Sequence, residues 1–147
     1  MKSLKDDSIC YVRYSDNFCV MRFNTDHSIK QKYAPFTKED GKWYMKRPSG
    51  TLPIYLTDKN TNYVILTEGE KAMLAASQFT NHDVCCHHGG VGNWRNCDWS
   101  TLKDRNVLIW PDNDEAGKKF AFELQEHLNK ICSNVVVVKP HKDLEEK

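Results

Sequence analysis

No apolar stretch in the sequence approaches the roughly 20 residues that a bilayer-spanning helix needs. Membrane-embedded functions are set aside on that ground, and the mean hydropathy of -0.68 with 28% charged residues agrees. The opening Met1-Lys2-Ser3-Leu4-Lys5-Asp6-Asp7 also lacks the uninterrupted apolar segment of a secretory signal, so a cytoplasmic location is expected. Six cysteines are present (Cys10, Cys19, Cys85, Cys86, Cys97 and Cys132), but none falls in paired C-x-x-C spacing. Cys85, Cys86, His87, His88 and Cys97 come nearest to a metal cluster and lack the required repeat, so free thiols and no structural zinc are expected. Length is limiting too: 147 residues at 39% hydrophobic content suffice for one compact core with a small appended part.

What is present divides near residue 62. Residues 1–62 hold 11 Lys+Arg against 7 Asp+Glu, a net of +4, and residues 63–147 hold 10 against 13, a net of -3, which together return the whole-chain +1. The expected organisation is a basic β-rich N-terminal part over 1–62 and an α/β core over 63–147. An acidic part joined to a basic one suits a cation-dependent site beside a surface that attracts an anionic polymer; a solvated basic face fits the same numbers.

In the first part, ICYVRY (9–14) and FCVMRF (18–23) flank Ser15-Asp16-Asn17 and read as a hairpin. Residues 26–50 interleave five lysines and Arg47 with Tyr33, Phe36, Trp43 and Tyr44, a composition that holds phosphates and stacks on unpaired bases, or forms a small sheet with a charged outer face. Arg22, Lys30, Lys32, Lys46 and Arg47 are the candidate nucleic-acid contacts. From residue 63 the pattern alternates. Apolar runs at 63–66, 84–86, 107–110 and 135–138 read as buried strands. Between them, Ala72, Ala75, Ala76 and Phe79 mark one helical face, and Phe120, Leu124, Leu128 and Ile131 another, with Glu123 and Glu126 facing out. Strands joined by helices lie parallel, and such sheets place their sites beyond the strands' carboxyl ends.

Two turns at such ends carry the acids: Thr67-Glu68-Gly69-Glu70-Lys71, and Pro111-Asp112-Asn113-Asp114-Glu115-Ala116-Gly117. Carboxylates gathered in one crevice raise each other's pKa unless a divalent cation lies among them, and Mg²⁺, with Mn²⁺ as a substitute, suits hard oxygen ligands. Gly69 leaves room for a phosphate and Lys71 neutralises one. The plainer reading makes Asp112 and Asp114 helix caps and Lys71 an exposed helix lysine. Gly89 and Gly90, in the loop from His87 to Trp94, are candidate phosphate contacts or parts of an ordinary surface loop.

Glu68-Gly69 after one strand and Asp112-Asn113-Asp114 after a later one together resemble a Toprim domain, a Rossmann-like parallel-sheet core. ILTEGEKAMLAA (65–76) and DNDEAGKK (112–119) resemble most the primase part of bacteriophage helicase-primases and mobile-element primases. The similarity runs over about 63–143 and takes in Gly89-Gly90 and Lys142-Asp143. It implies a DNA primase core that makes short RNA primers on single-stranded DNA from ribonucleoside triphosphates by Mg²⁺-dependent nucleotidyl transfer. Glu68, Asp112 and Asp114 would hold metal, Asp143 would complete the set, and Glu68 has a further role open to it as general acid or base. Full-length primases also carry a zinc module and a P-loop helicase domain. Neither is recognisable here, so an excised or minimal core is expected, with a replicative helicase and a zinc-binding primase module as partners. Rival expectations are an OLD-like Toprim nuclease, a non-catalytic nucleic-acid-binding module, and a phosphotransfer domain with an aspartyl nucleophile, which explains Glu68-Gly69 poorly.

Overall fold

A computed structural model of the chain describes residues 9–23 and 33–139. The hairpin expected at the start is present as β1 (Ile9–Ser15) and β2 (Phe18–Phe23), in antiparallel register with Val12 opposite Val20. Two further strands, β3 (Tyr33–Glu39) and β4 (Lys42–Tyr44), extend it to a four-stranded antiparallel sheet in chain order. The β3–β4 turn is made by Asp40 and Gly41, both at positive φ (47° and 78°). Glycine accepts that conformation without steric cost, which fixes the sharp reversal.

The second part is built on β7 (Tyr63–Thr67), β8 (Asp83–Cys86), β10 (Asn106–Trp110) and β11 (Asn134–Val137), each within a residue of the run expected for it. These four are parallel, and the short β6 (Tyr55–Leu56) adds an antiparallel edge, giving the order β11-β10-β7-β8-β6. The other short pair, β5 (Leu52–Pro53) with β9 (Cys97–Asp98), is parallel. Residues 52–56 thus pair with strands that follow residue 63.

Helix α1 (Glu70–Phe79) joins β7 to β8, and α2 (Glu115–Leu128) joins β10 to β11. The chain leaves the β7–β10 pair in opposite directions, so right-handed crossovers place the two helices on opposite faces. Both faces are therefore apolar, as a parallel sheet requires. On the α2 face, Val64, Leu66, Val107 and Ile109 pack with Phe120, Leu124 and Leu128. On the other, Met73, Val84 and Cys86 pack with Val12, Tyr14, Phe18 and Val20 from β1 and β2, so the antiparallel sheet shares a core with the parallel one.

The α2 stripe is buried as its spacing predicts, with Glu126 exposed and Ile131, beyond the helix end, partly buried. The stripe expected on α1 is not the buried one. Ala72 and Ala75 are exposed and Phe79 is 86% exposed, while Met73 is the residue that is fully covered. The reason is register: Met73 faces Val84 and the β1–β2 side chains, and this rotates Ala72, Ala75 and Phe79 outward while Ala76 stays partly buried against the same core.

Candidate active site

Glu68 and Asp112 stand where the two neighbouring central strands end. Thr67 is paired with Trp110 across β7 and β10, so the next residue of one strand and the next but one of the other emerge side by side. The two connections depart to opposite sides here, which opens a crevice at the switch point. The Glu68 carboxylate points into it: Oε1 accepts the Asp112 backbone N–H at 2.9 Å. Burial raises the Glu68 pKa, the Asp112 N–H lowers it, and the negative charges of Asp112 and Asp114 raise it again, for a net upward shift. The three acids thus feel one another electrostatically.

Asp114 has the plainer role as well. It is the N-cap of α2, extended at φ -130°, and its Oδ1 accepts the Gly117 N–H at 2.7 Å. Asp112 and Asp114 are both exposed. Among the described residues no three acids, histidines or cysteines stand close enough to form a ready metal cage. The donor set fits Mg²⁺ nonetheless, because that ion is commonly held by one or two carboxylates, with water and substrate phosphate completing its octahedron. Asp112, the second oxygen of Glu68 and the second oxygen of Asp114 are hard ligands of this kind. Asp143 lies outside the described residues.

The sequence pattern did not point to Gly117. A Cβ there would overlap the Asp112 carbonyl and lie 2.5 Å from Glu68 Oε1, so the helix can seat beneath the crevice only with glycine at this position. The signal available was a glycine in the first turn of an otherwise good helix pattern, three residues after an Asp cap.

Nor did the pattern single out Glu70, although it stands in the same turn. Its Oε1 accepts the Tyr14 hydroxyl at 2.7 Å and lies 3.2 Å from His88 Nδ1, tying β1, α1 and the loop after β8 together. Burial pushes its carboxyl up, and the His88 and Tyr14 hydrogen bonds more than offset that, leaving the pKa below the usual value. His87 and His88 do not line an open surface loop. His87 stacks on Phe120 at 5.3 Å and approaches the Gly90 carbonyl through Nε2 at 3.0 Å, while His88 packs edge-on against Phe18. Burial pushes the His87 pKa down. Trp94 is likewise buried. The loop is shaped from within: Gly89 and Gly90 have φ of 94° and 66°, and a Cβ on Gly89 would meet Asn93 Nδ2 at 2.5 Å. Both glycines stand at the same sheet end as the acids, Gly89 and Gly90 alike exposed.

Lys71 is exposed in the first turn of α1. Of the basic candidates, Lys46 donates to Glu39 at 2.6 Å and lies 5.6 Å from the Tyr44 ring centroid, and Arg47 is exposed. Arg22 belongs to β2, paired with Tyr33, and Lys30 and Lys32 lie outside the described residues. Cys19, Cys85, Cys86, Cys97 and Cys132 are free thiols. Cys86, enclosed in the core, is pushed up to about 12. No helix among the described residues is long and apolar enough to cross a membrane.

Parallel strands, opposed crossovers and acids on two adjacent strand ends define a Toprim-type α/β fold. Residues 65–147, more than half of the chain, match the model of the Toprim-like family, and the chain belongs to that family. No curated protein and no solved structure matches it. Toprim domains occur in enzymes acting on nucleic acids, primases and nucleases among them, and typically bind Mg²⁺.

Proposed function

We propose that the chain is a DNA primase core that joins ribonucleotides on a single-stranded DNA template. The observation that carries this reading is the Glu68 carboxylate turned onto the Asp112 N–H at the β7–β10 switch point, with Asp114 two residues further along. Asp112, with the second oxygens of Glu68 and Asp114, would hold Mg²⁺, which when bound supplies positive charge to the transferring phosphoryl group. Glu68 is fixed by the Asp112 N–H and by the close seat of Gly117, so its second oxygen is presented without reorganisation. Lys71 at the start of α1 meets substrate phosphate, and the Gly89-Gly90 turn lets the backbone approach it. The exposed Lys42, Trp43, Tyr44 and Arg47 of the first sheet and the segment after it supply charge and stacking surface for the unpaired template.

Incubation with Mg²⁺ or Mn²⁺, single-stranded DNA and labelled ribonucleotides tests the reading. Short labelled primers are expected, and Asp112→Asn is expected to lower their yield at least about a hundredfold while leaving the fold intact. Shortened DNA without incorporation would reject priming in favour of a nuclease. Equal yield from the variant would remove the catalytic assignment.

A further inference from the structure

Two open clefts share a single wall. One, of about 390 Å³, is lined by Gly50, Thr51, Arg95 and Asn96. The other, of about 250 Å³, is lined by Val91, Arg95, Ala116, Lys119, Phe120 and Glu123. Ala116 is the neighbour of Gly117, so the second cleft begins one residue from the acid crevice, and the first continues past Arg95 toward the segment that follows β4.

Arg95 is held in place for this position. Its guanidinium lies 4.4 Å from the ring centroid of Trp94, and one nitrogen pairs with Glu123 Oε2 at 2.7 Å. Trp94 is itself buried, with its carbonyl accepting the Trp99 indole N–H at 3.0 Å. The Arg95 side chain remains 58% exposed, so a planar fork of donors faces the trough already oriented. Lys119 is exposed on the same stretch of α2, beside the second cleft.

We propose that this trough carries the backbone of a single-stranded polynucleotide into the acid crevice, with Arg95 and Lys119 on its phosphates. The inference rests on the proposed function and names residues for strand placement that lie outside the basic N-terminal part. Three carboxylates repel an approaching polyanion, so a strand that reaches them needs cations along its path. Spacing decides between a strand and a lone nucleotide. Lys119 lies five residues from Asp114, about 7.5 Å along the helix axis, and Glu123, the partner of Arg95, nine residues, about 13.5 Å. A triphosphate engaged at the acids keeps its charge close to them, whereas cations at these two stations, beside two clefts in series, suit a chain of phosphates.

The test is fluorescence anisotropy of a labelled oligothymidylate of about 16 nucleotides, without divalent metal and over a salt series. Arg95→Ala and Lys119→Ala are each expected to weaken binding about three- to tenfold, and the double variant to flatten the slope of log K against log salt by about 1.4, or 0.7 for each phosphate deprived of its cation. Arg95→Lys, which keeps the charge but not the planar fork, is expected to lie between wild type and Arg95→Ala. Lys119→Ala, at an exposed helix position, carries the test even where Arg95→Ala unfolds. Wild-type affinity and slope in a folded Lys119→Ala, or no oligonucleotide binding by the unaltered protein, would overturn the inference. A second arm uses a fluorescent ribonucleoside triphosphate with Mn²⁺. Weaker triphosphate binding with oligonucleotide affinity unchanged would assign the cations to the nucleotide and also overturn it. Asp112→Asn, which removes one of the repelling charges, is expected to bind the oligonucleotide at least as tightly as wild type, which keeps a failure of the acid site distinct from a failure of the trough.

Discussion

Gly117 shows how a single side chain would decide whether the crevice forms. Alanine is favoured over glycine inside a helix by about 1 kcal/mol, so propensity alone would make Gly117→Ala stabilising. The added methyl, however, meets the Asp112 carbonyl and the Glu68 carboxylate, and overpacking against backbone costs about 1–3 kcal/mol. Overlap wins. Gly117→Ala is expected to lower the melting temperature by several degrees and to weaken Mn²⁺ binding, measured by thermal unfolding and by metal titration. An unchanged metal affinity would show that the seat of α2 does not set the position of Glu68. The importance of Gly117 was hidden in the sequence because it comes from contact with Glu68 of a distant turn as well as with the Asp112 carbonyl of its own. The placement of Glu68 and Asp112 at neighbouring strand ends was legible, because apolar runs mark the strands and the acids follow them directly.

At the scale of elements, the N-terminus of α2 joins structure to chemistry. Asp114 caps the helix with one oxygen, so its proposed part in metal binding can be separated from the cap by substitution. Asparagine caps a helix about as well as aspartate, and alanine does not. Asp114→Asn is expected to keep the wild-type melting temperature and lose metal affinity; Asp114→Ala is expected to lose both, with about 1 kcal/mol less stability. Thermal melts run beside Mn²⁺ titrations distinguish the two. The elements were largely readable in advance. β7, β8, β10 and β11 are short apolar runs bounded by polar turns, a pattern that burial on both faces imposes. The buried face of α1 was not readable, because Met73 competes with Ala72, Ala75 and Phe79 on a short helix. The winner is set by Val12, Tyr14, Phe18 and Val20, side chains more than 50 positions earlier. The histidines after β8 misled for a similar reason: a Gly-rich polar loop reads as exposed, and only tertiary packing against Phe120 and Phe18 buries them.

For the whole molecule, Asp83 is the pin between the segment before β7 and the strands behind the site. Its carboxylate accepts the backbone N–H groups of Lys59 and Thr61 at 2.8 and 2.9 Å, the Thr57 hydroxyl at 2.9 Å, and the Arg105 guanidinium at 2.5 Å. Burial pushes its pKa up, but these four partners hold it well below the ordinary carboxylate range. A depressed native pKa adds stability that is complete above the unfolded value of about 3.9 and is lost as the pH falls below it. Acid unfolding is therefore expected to set in below about pH 4. Asp83→Asn is expected to cost on the order of 3 kcal/mol near neutrality, since it leaves Arg105 without its anionic partner, and to unfold with a flatter acid dependence. Urea titrations at several pH values check both. An acid limb as steep in the variant as in wild type would place the titrating groups elsewhere. At the same scale, β6 completes the five-stranded sheet, and the Tyr14–Glu70 hydrogen bond fastens β1 to the turn after β7.

The central claim is that carboxylates from two neighbouring strand ends share a divalent ion. It is met most directly by a crystal structure soaked with Mn²⁺ and a ribonucleoside triphosphate, read by anomalous scattering. The account predicts a peak within bonding distance of Asp112 and of Glu68 or Asp114, about 2.1 Å as for Mg²⁺, with the triphosphate on its open side. A well-ordered crevice without a peak, or manganese bound only at other acids of the surface, would contradict it.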